Sequence, residues 1–105
     1  MAGYSVALVI RHVVVGRLRP DADPATLDRA LRAIAGLSIE GVLAIRVGRD
    51  LGLREGTWDW AVTTDLVDEA AYLRYDADEE HDRLRRELLL PVSEQLVRVQ
   101  FAVPD

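Results

Sequence analysis

The sequence predicts an α+β chain of the ferredoxin-like class. The expected order is β-α-β-β-α-β, a four-stranded antiparallel sheet with helices on one face. Three observations lead there. Runs rich in Val, Ile, Trp and Thr alternate with stretches of helical apolar spacing. The helical stretches carry start and stop signals in their flanks. And the first two strand candidates are apolar at both parities, "VALVI" and "VVV" in one and "VLAI" in the other, so both sheet faces should be covered. Helices cover one face. A second copy of the sheet, related by a two-fold axis, is the economical cover for the other, which gives a homodimeric α/β barrel. Several hundred Å2 of such sheet, at about 25 cal/mol per Å2, favours association by several kcal/mol.

The elements follow in order. Residues 6–18 form the first strand, with Gly16 marking a bulge or a close backbone approach. In "RPDADPATLDRALRAIAGL", Asp23 is the N-cap, Pro24 suits the first helical position and Gly36 ends the run. Leu27, Ala30, Leu31 and Ile34 fall on one face at i, i+3, i+4 and i+7. Residues 42–47 are the second strand, 48–56 a glycine-punctuated loop, and 57–64 the third strand, with Trp58, Trp60 and Val62 on one side. Asp59, between the tryptophans, faces the expected seam and needs a partner there such as an arginine. Glu55 and Asp65 are expected in solvent. A short helix spans 68–75. Asp78 caps another that runs to about residue 89; Pro91 interrupts it, with room for one further turn, and 96–103 closes the sheet.

Composition narrows the function. With 105 residues, half of them hydrophobic, positions 1–105 read as one domain with a real core. No cysteine is present, which removes disulfides and thiolate metal sites. The net charge is −5, and the 13 basic residues are all arginine set among 18 acids, so there is no basic stripe for nucleic acid. The apolar run at 6–10 is too short for a membrane and lacks the flanks of a signal peptide, so the chain is expected in the cytoplasm. No H-x-x-x-H or H-x-H spacing supports a metal, no P-loop is visible, and no serine sits in an elbow context.

The two histidines are the remaining chemical candidates. His12 shares strand parity with Leu8, Ile10, Val14 and Leu18, as either a satisfied core residue or the polar anchor of an apolar pocket. His81, in "YDADEEHDRL", follows the Asp78 cap by three residues. It is either a solvated helix residue or a neutral base favoured by the helix N-terminus, against the pull of nearby carboxylates. Tyr75 lies six residues before it. The tryptophan stripe is either core or ligand contact.

In this order, "RHVVVGRLRP", "GVLAIRVGRDL", "WDWAVTTDL", the Tyr-to-His spacing of 75 and 81, and "VRVQFAV" resemble the Dabb family of stress-responsive dimeric α/β-barrel domains, over nearly the whole chain. The resemblance implies the ferredoxin-like fold, a homodimer and no cofactor. Its olivetolic acid cyclase-like branch of polyketide cyclases implies a catalytic trio: His81 as general base, Tyr75 as its hydroxyl partner and His12 as a cavity residue. Trp60 stands at that branch's third-strand pocket position, where its bulk reshapes the cavity, and Val14 and Val62 are expected beside it as substrate contacts. "DEEH" departs from the family's His-Pro-Ala-His, with Asp78 in place of the first histidine. Two functions follow: an acid/base enzyme on a small hydrophobic carbonyl compound such as a polyketide, or a non-catalytic dimeric stress-responsive or ligand-binding domain. The enzyme requires a cavity of at least about 300 Å3 reached by all three side chains.

Overall fold

The computed structural model describes residues 8–104; Val6 and Ala7, at the expected start of the first strand, lie outside them. The elements are β1 (Leu8–Leu18), α1 (Pro24–Ala35), β2 (Val42–Arg49), β3 (Trp60–Leu66), α2 (Glu69–Ala77), α3 (Glu79–Leu84), a π-helical turn (Arg85–Leu89), α4 (Leu90–Val92) and β4 (Ser93–Pro104). The strands form one sheet in the order β2-β3-β1-β4, every neighbouring pair antiparallel. This is the predicted ferredoxin-like arrangement. No described helix is long and apolar enough to cross a membrane.

α1 forms as its signals require. Asp23 accepts a hydrogen bond from the Ala25 backbone N–H at 3.0 Å, Pro24 starts the helix and Gly36 caps it. Leu27, Ala30, Leu31 and Ile34 are buried and pack with Trp60, Val62, Leu84 and Leu89 between helices and sheet. A smaller cluster of Leu66, Ala71 and Tyr75 continues the core under α2.

Even-numbered β1 residues face the helices, so His12 and Gly16 are buried there. Gly16 is a close approach: a Cβ at this position would overlap the Trp60 ring. The opposite face carries Val13 and Val15, paired across to Val99 and Val97 of β4, with Phe101 opposite Arg11. Val97, Val99 and Phe101 are 47%, 55% and 48% exposed, as expected of an apolar face awaiting a cover.

Several expectations need correction. β3 begins at Trp60 and ends at Leu66, later at both ends than expected. Trp58 therefore leaves the stripe and lies under the Arg17 guanidinium, 4.5 Å from ring centroid to carbon. Asp59 closes the end of β1, its carboxylate accepting from Leu18 N–H at 2.7 Å, rather than occupying the open face. The acid on that face is Asp65, which is buried rather than solvated. Arg11 holds it through two hydrogen bonds of 2.7 and 3.0 Å, and Arg46 lies 3.5 Å away. Around Pro91 the chain makes the one further turn that the sequence left room for. The wider π turn, with Leu90 N–H bonded to Arg85 C=O, carries the chain past it before β4 begins at Ser93.

Candidate functional site

Three short-range bonds bring His81 back onto Tyr75. α2 is capped by Asp68, which accepts from Ala71 N–H at 2.8 Å, and its buried face presents Ala71 and Tyr75 four residues apart. Asp78 ends α2, its N–H reaching Tyr75 C=O at 3.3 Å, and starts α3, its carboxylate accepting from His81 N–H at 2.9 Å. The chain turns sharply at Asp78. The His81 ring then stacks on the Tyr75 ring at 4.1 Å and 25°.

The same turn decides the His81 tautomer. Nδ1 lies 2.9 Å from the Tyr75 carbonyl oxygen. A carbonyl only accepts, so Nδ1 carries the proton and donates it, and Nε2 is left with a free lone pair. Burial holds the His81 pKa below 6.5. The Tyr75 carbonyl, Asp76 and Asp78 pull it up and Arg85 pushes it down, but desolvation is the largest effect. The ring is neutral at pH 7.

His12 reaches the same place from the sheet. It pairs with Thr64 on one side and Gln100 on the other, so Thr64, His12 and Gln100 form one cross-strand row on the helix face. Gln100 Nε2 lies 2.7 Å from His12 Nδ1. The amide N–H donates, so Nδ1 accepts and the neutral ring carries its proton on Nε2. Burial lowers this pKa too, helped by Arg98 and His81 and opposed by Asp76. Thr64 donates to the Tyr75 hydroxyl oxygen at 3.1 Å, which leaves the phenol proton for another partner. Burial raises the Tyr75 pKa above 10, so the phenol stays protonated.

The two imidazoles are therefore neutral and opposite in kind. His81 offers a lone pair, and His12 offers an N–H. Their rings flank Tyr75, His12 at 6.2 Å and His81 at 4.1 Å between centroids.

His12, Val14, Val62, Tyr75 and His81 all line one cavity, with Ile34, Leu89 and Leu96 as further apolar wall and Asp76, Arg85 and Arg98 as its charged groups. Trp60 is not on this wall; its ring is committed to Gly16 in the core. The cavity holds about 30 Å3, room for one water, far below the expected 300 Å3. Ile34 of α1, Leu89 of the π turn and Leu96 of β4 bound it on the apolar side. No group of three His, Asp or Glu side chains among the described residues is arranged to hold a metal.

Thr64, Gln100 and Arg98 belong to this site and were not singled out in the sequence; Arg85, whose alternation with Asp82 and Glu87 reads as a solvated helix face, is half-buried and lines the cavity. Gln100 and Arg98 had one usable signal. They are polar residues at alternate positions of an otherwise aliphatic strand.

The family model of the stress responsive A/B barrel domain, Dabb, matches residues 10–103. The chain belongs to this family. Among solved structures, a dimeric ferredoxin-like protein of unknown function from Thermobifida fusca YX is 28% identical, with a TM-score of 0.85 over 95% of each chain. A Dabb family protein with a ferredoxin-like fold from Mesorhizobium loti is 22% identical, with a TM-score of 0.70 over 93% of this chain and 98% of that one. A hydroxynitrile lyase from Passiflora edulis is 17% identical, with a TM-score of 0.80 over 94% and 96%. The last two share the fold of this chain at identities that carry the fold alone. No curated protein matches the sequence.

Proposed function

We propose that the chain is a cofactor-independent acid/base enzyme acting on a small carbonyl compound, with chemistry of the aldol type used by polyketide cyclases. Its main support is the pair of neutral imidazoles with opposite free nitrogens on one cavity wall, flanking a protonated tyrosine. His81 Nε2 takes a proton from the carbon next to a carbonyl. The C–H electron pair moves into the new C=C bond, and the carbonyl oxygen becomes an enolate. The His12 Nε2–H and the Tyr75 O–H donate to that oxygen. The enolate carbon then attacks a second carbonyl, and protonated His81 returns its proton to the new alkoxide. Val14 and Val62 border the reacting atoms from the apolar wall. A cavity of about 30 Å3 admits only the reacting atoms, so the rest of the substrate lies outside it. The hydroxynitrile lyase from Passiflora edulis is an enzyme on the same scaffold, which supports a catalytic use of it.

The same small cavity favours a second function, a non-catalytic dimeric domain whose histidines only pack. In both cases the working form is a homodimer closed by the apolar sheet face, in keeping with the dimeric protein from Thermobifida fusca YX.

The two functions separate on turnover. A panel of short carbonyl compounds and polyketides is offered to wild type, His81→Ala and Tyr75→Phe, each shown folded by circular dichroism. The enzyme predicts that any consumed substrate slows by about 10²–10⁴-fold in His81→Ala. Consumption at wild-type rate in both variants, or no consumption at all across the panel, sinks the catalytic assignment.

A further inference from the structure

Two arginines line the cavity beside the histidines, and the acid/base mechanism gives neither a task. Arg98 stands on β4 opposite Val14, on the helix face between Leu96 and Gln100. Seven of the thirteen arginines are paired with acids: Arg11 and Arg46 with Asp65, Arg49 with Asp28, Arg74 with Glu40, Arg83 with Glu80 and Glu87, and Arg85 and Arg86 with Asp82. Arg98 has no such partner among the described residues, although it lines a cavity that also contains an acid, Asp76. Arg85 gives Nη2 to Asp82 at 2.7 Å, but its Nε is buried with no hydrogen-bond partner among the described residues. A buried guanidinium N–H without an acceptor is costly, and a bound carboxylate oxygen would satisfy it.

Resting on the acid/base function above, we propose that the substrate is a short oxo-carboxylate, held by its carboxylate between Arg98 and Arg85 with its reacting carbon toward His81. The guanidinium fork matches a carboxylate in shape as well as charge. It also fits the small cavity: an anionic end retained at the exposed Arg98 leaves only a few atoms to enter. Asp76 opposes the anion and limits its affinity.

The test uses acetoacetate, its uncharged methyl ester and inorganic phosphate as probes, titrated against the full chain while the His12 and His81 ring resonances are followed by NMR. Acetoacetate should shift both rings saturably and bind at least about tenfold tighter than the ester. Arg98→Gln should remove that preference, with Arg85→Gln as the second variant, and Asp76→Asn should tighten acetoacetate. Equal binding of acid and ester, unchanged acetoacetate affinity in both arginine variants, or phosphate binding as tightly as acetoacetate would each overturn the proposal. Deuterium exchange at the acetoacetate methylene is read in the same samples. Arginine-dependent binding without His81-dependent exchange leaves the carboxylate site standing and removes the catalytic function. His81-dependent exchange of the ester with no preference for the acid does the reverse.

Discussion

The chemistry of the site rests on where two protons sit, and Gln100 sets one of them. Its amide N–H keeps His12 Nδ1 an acceptor and so leaves an N–H on Nε2. Gln100→Glu replaces the donor with a carboxylate. The His12 ring must then put a proton on Nδ1, and the new charge raises its pKa. Nitrogen-15 NMR of the ring should show the tautomer invert, and turnover should fall with little change in folding; an unchanged tautomer would mean that Gln100 does not position His12. A second consequence concerns acid stability. Burial lowers the pKa of both histidines below the unfolded value of 6.5. The unfolded chain then binds more protons than the folded one, so unfolding free energy falls as pH drops from 6.5 towards the folded values, and the decline levels off below them. Urea midpoints should decline from about pH 7 to pH 5, and a His12→Asn, His81→Asn variant should flatten that slope. Asp65 acts in a lower window. The Arg11 hydrogen bond holds its pKa below 3.8, and the stability this lends disappears only as pH falls below that value. A neutral His81 was one of two readings open in the sequence, but the partners of His12 and Asp65 were not legible there. Periodicity placed His12 on the helix face but left its partner open, because Gln100 meets it only through the β1–β4 register.

At the scale of elements, capping and spacing decided what could be read. α1 was legible to the residue because its cap, proline and apolar face are all local. The turn at Asp78 was legible for the same reason, and it positions Tyr75 and His81. β3 was misplaced by long-range contacts. Thr57 and Trp58 favour strand, yet the strand waits until Asp59 has bonded Gly16 and Asp50 through its backbone. At the other end, Asp65 reads as a strand-ending charge until Arg11 and Arg46 neutralise it. Pro91 marks the short turn after residue 89, but nothing local marks the wider hydrogen bonding of the π turn before it. The β1–β3 contact yields a sharp prediction. The Trp60 ring occupies the space a Gly16 Cβ would need, so Gly16→Ala should destabilise by about 1–3 kcal/mol through overpacking. Trp60→Leu frees space at the same spot, so the double variant should lose less than the sum of the single losses in urea denaturation. Additive losses would show that the glycine matters for some reason other than the ring.

For the whole molecule, the question is what covers the second face of the sheet. Apolar residues at both strand parities made this visible from sequence, and the structure gives the face its composition. Val13, Val15, Val97 and Val99 form one block across β1 and β4, beside Phe101, with Arg11 and Asp65 paired within the chain. That pairing matters for association. A buried carboxylate with its own arginine makes no demand on a partner, so an opposing sheet gains apolar burial without leaving an acid unmet. A small domain also buries a modest share of its surface alone, which sharpens the gain from pairing. The wild-type chain should therefore sediment at twice its monomer mass across about 1–100 μM, the range in which an interface of ordinary size persists. Val99→Asp places an unpaired charge in the middle of the valine block and should shift the species to monomer. Leu73→Asp, on the exposed side of α2, should leave the dimer intact. A wild-type chain that sediments as a folded monomer throughout that range would show the face stable in water, and the homodimer would have to be abandoned. A Val99→Asp dimer as tight as wild type would instead move the interface to another surface. The catalytic prediction is separable from both. His12, Tyr75 and His81 lie between sheet and helices on the opposite side, so a monomeric Val99→Asp that keeps its fold should keep the ring tautomers of the site.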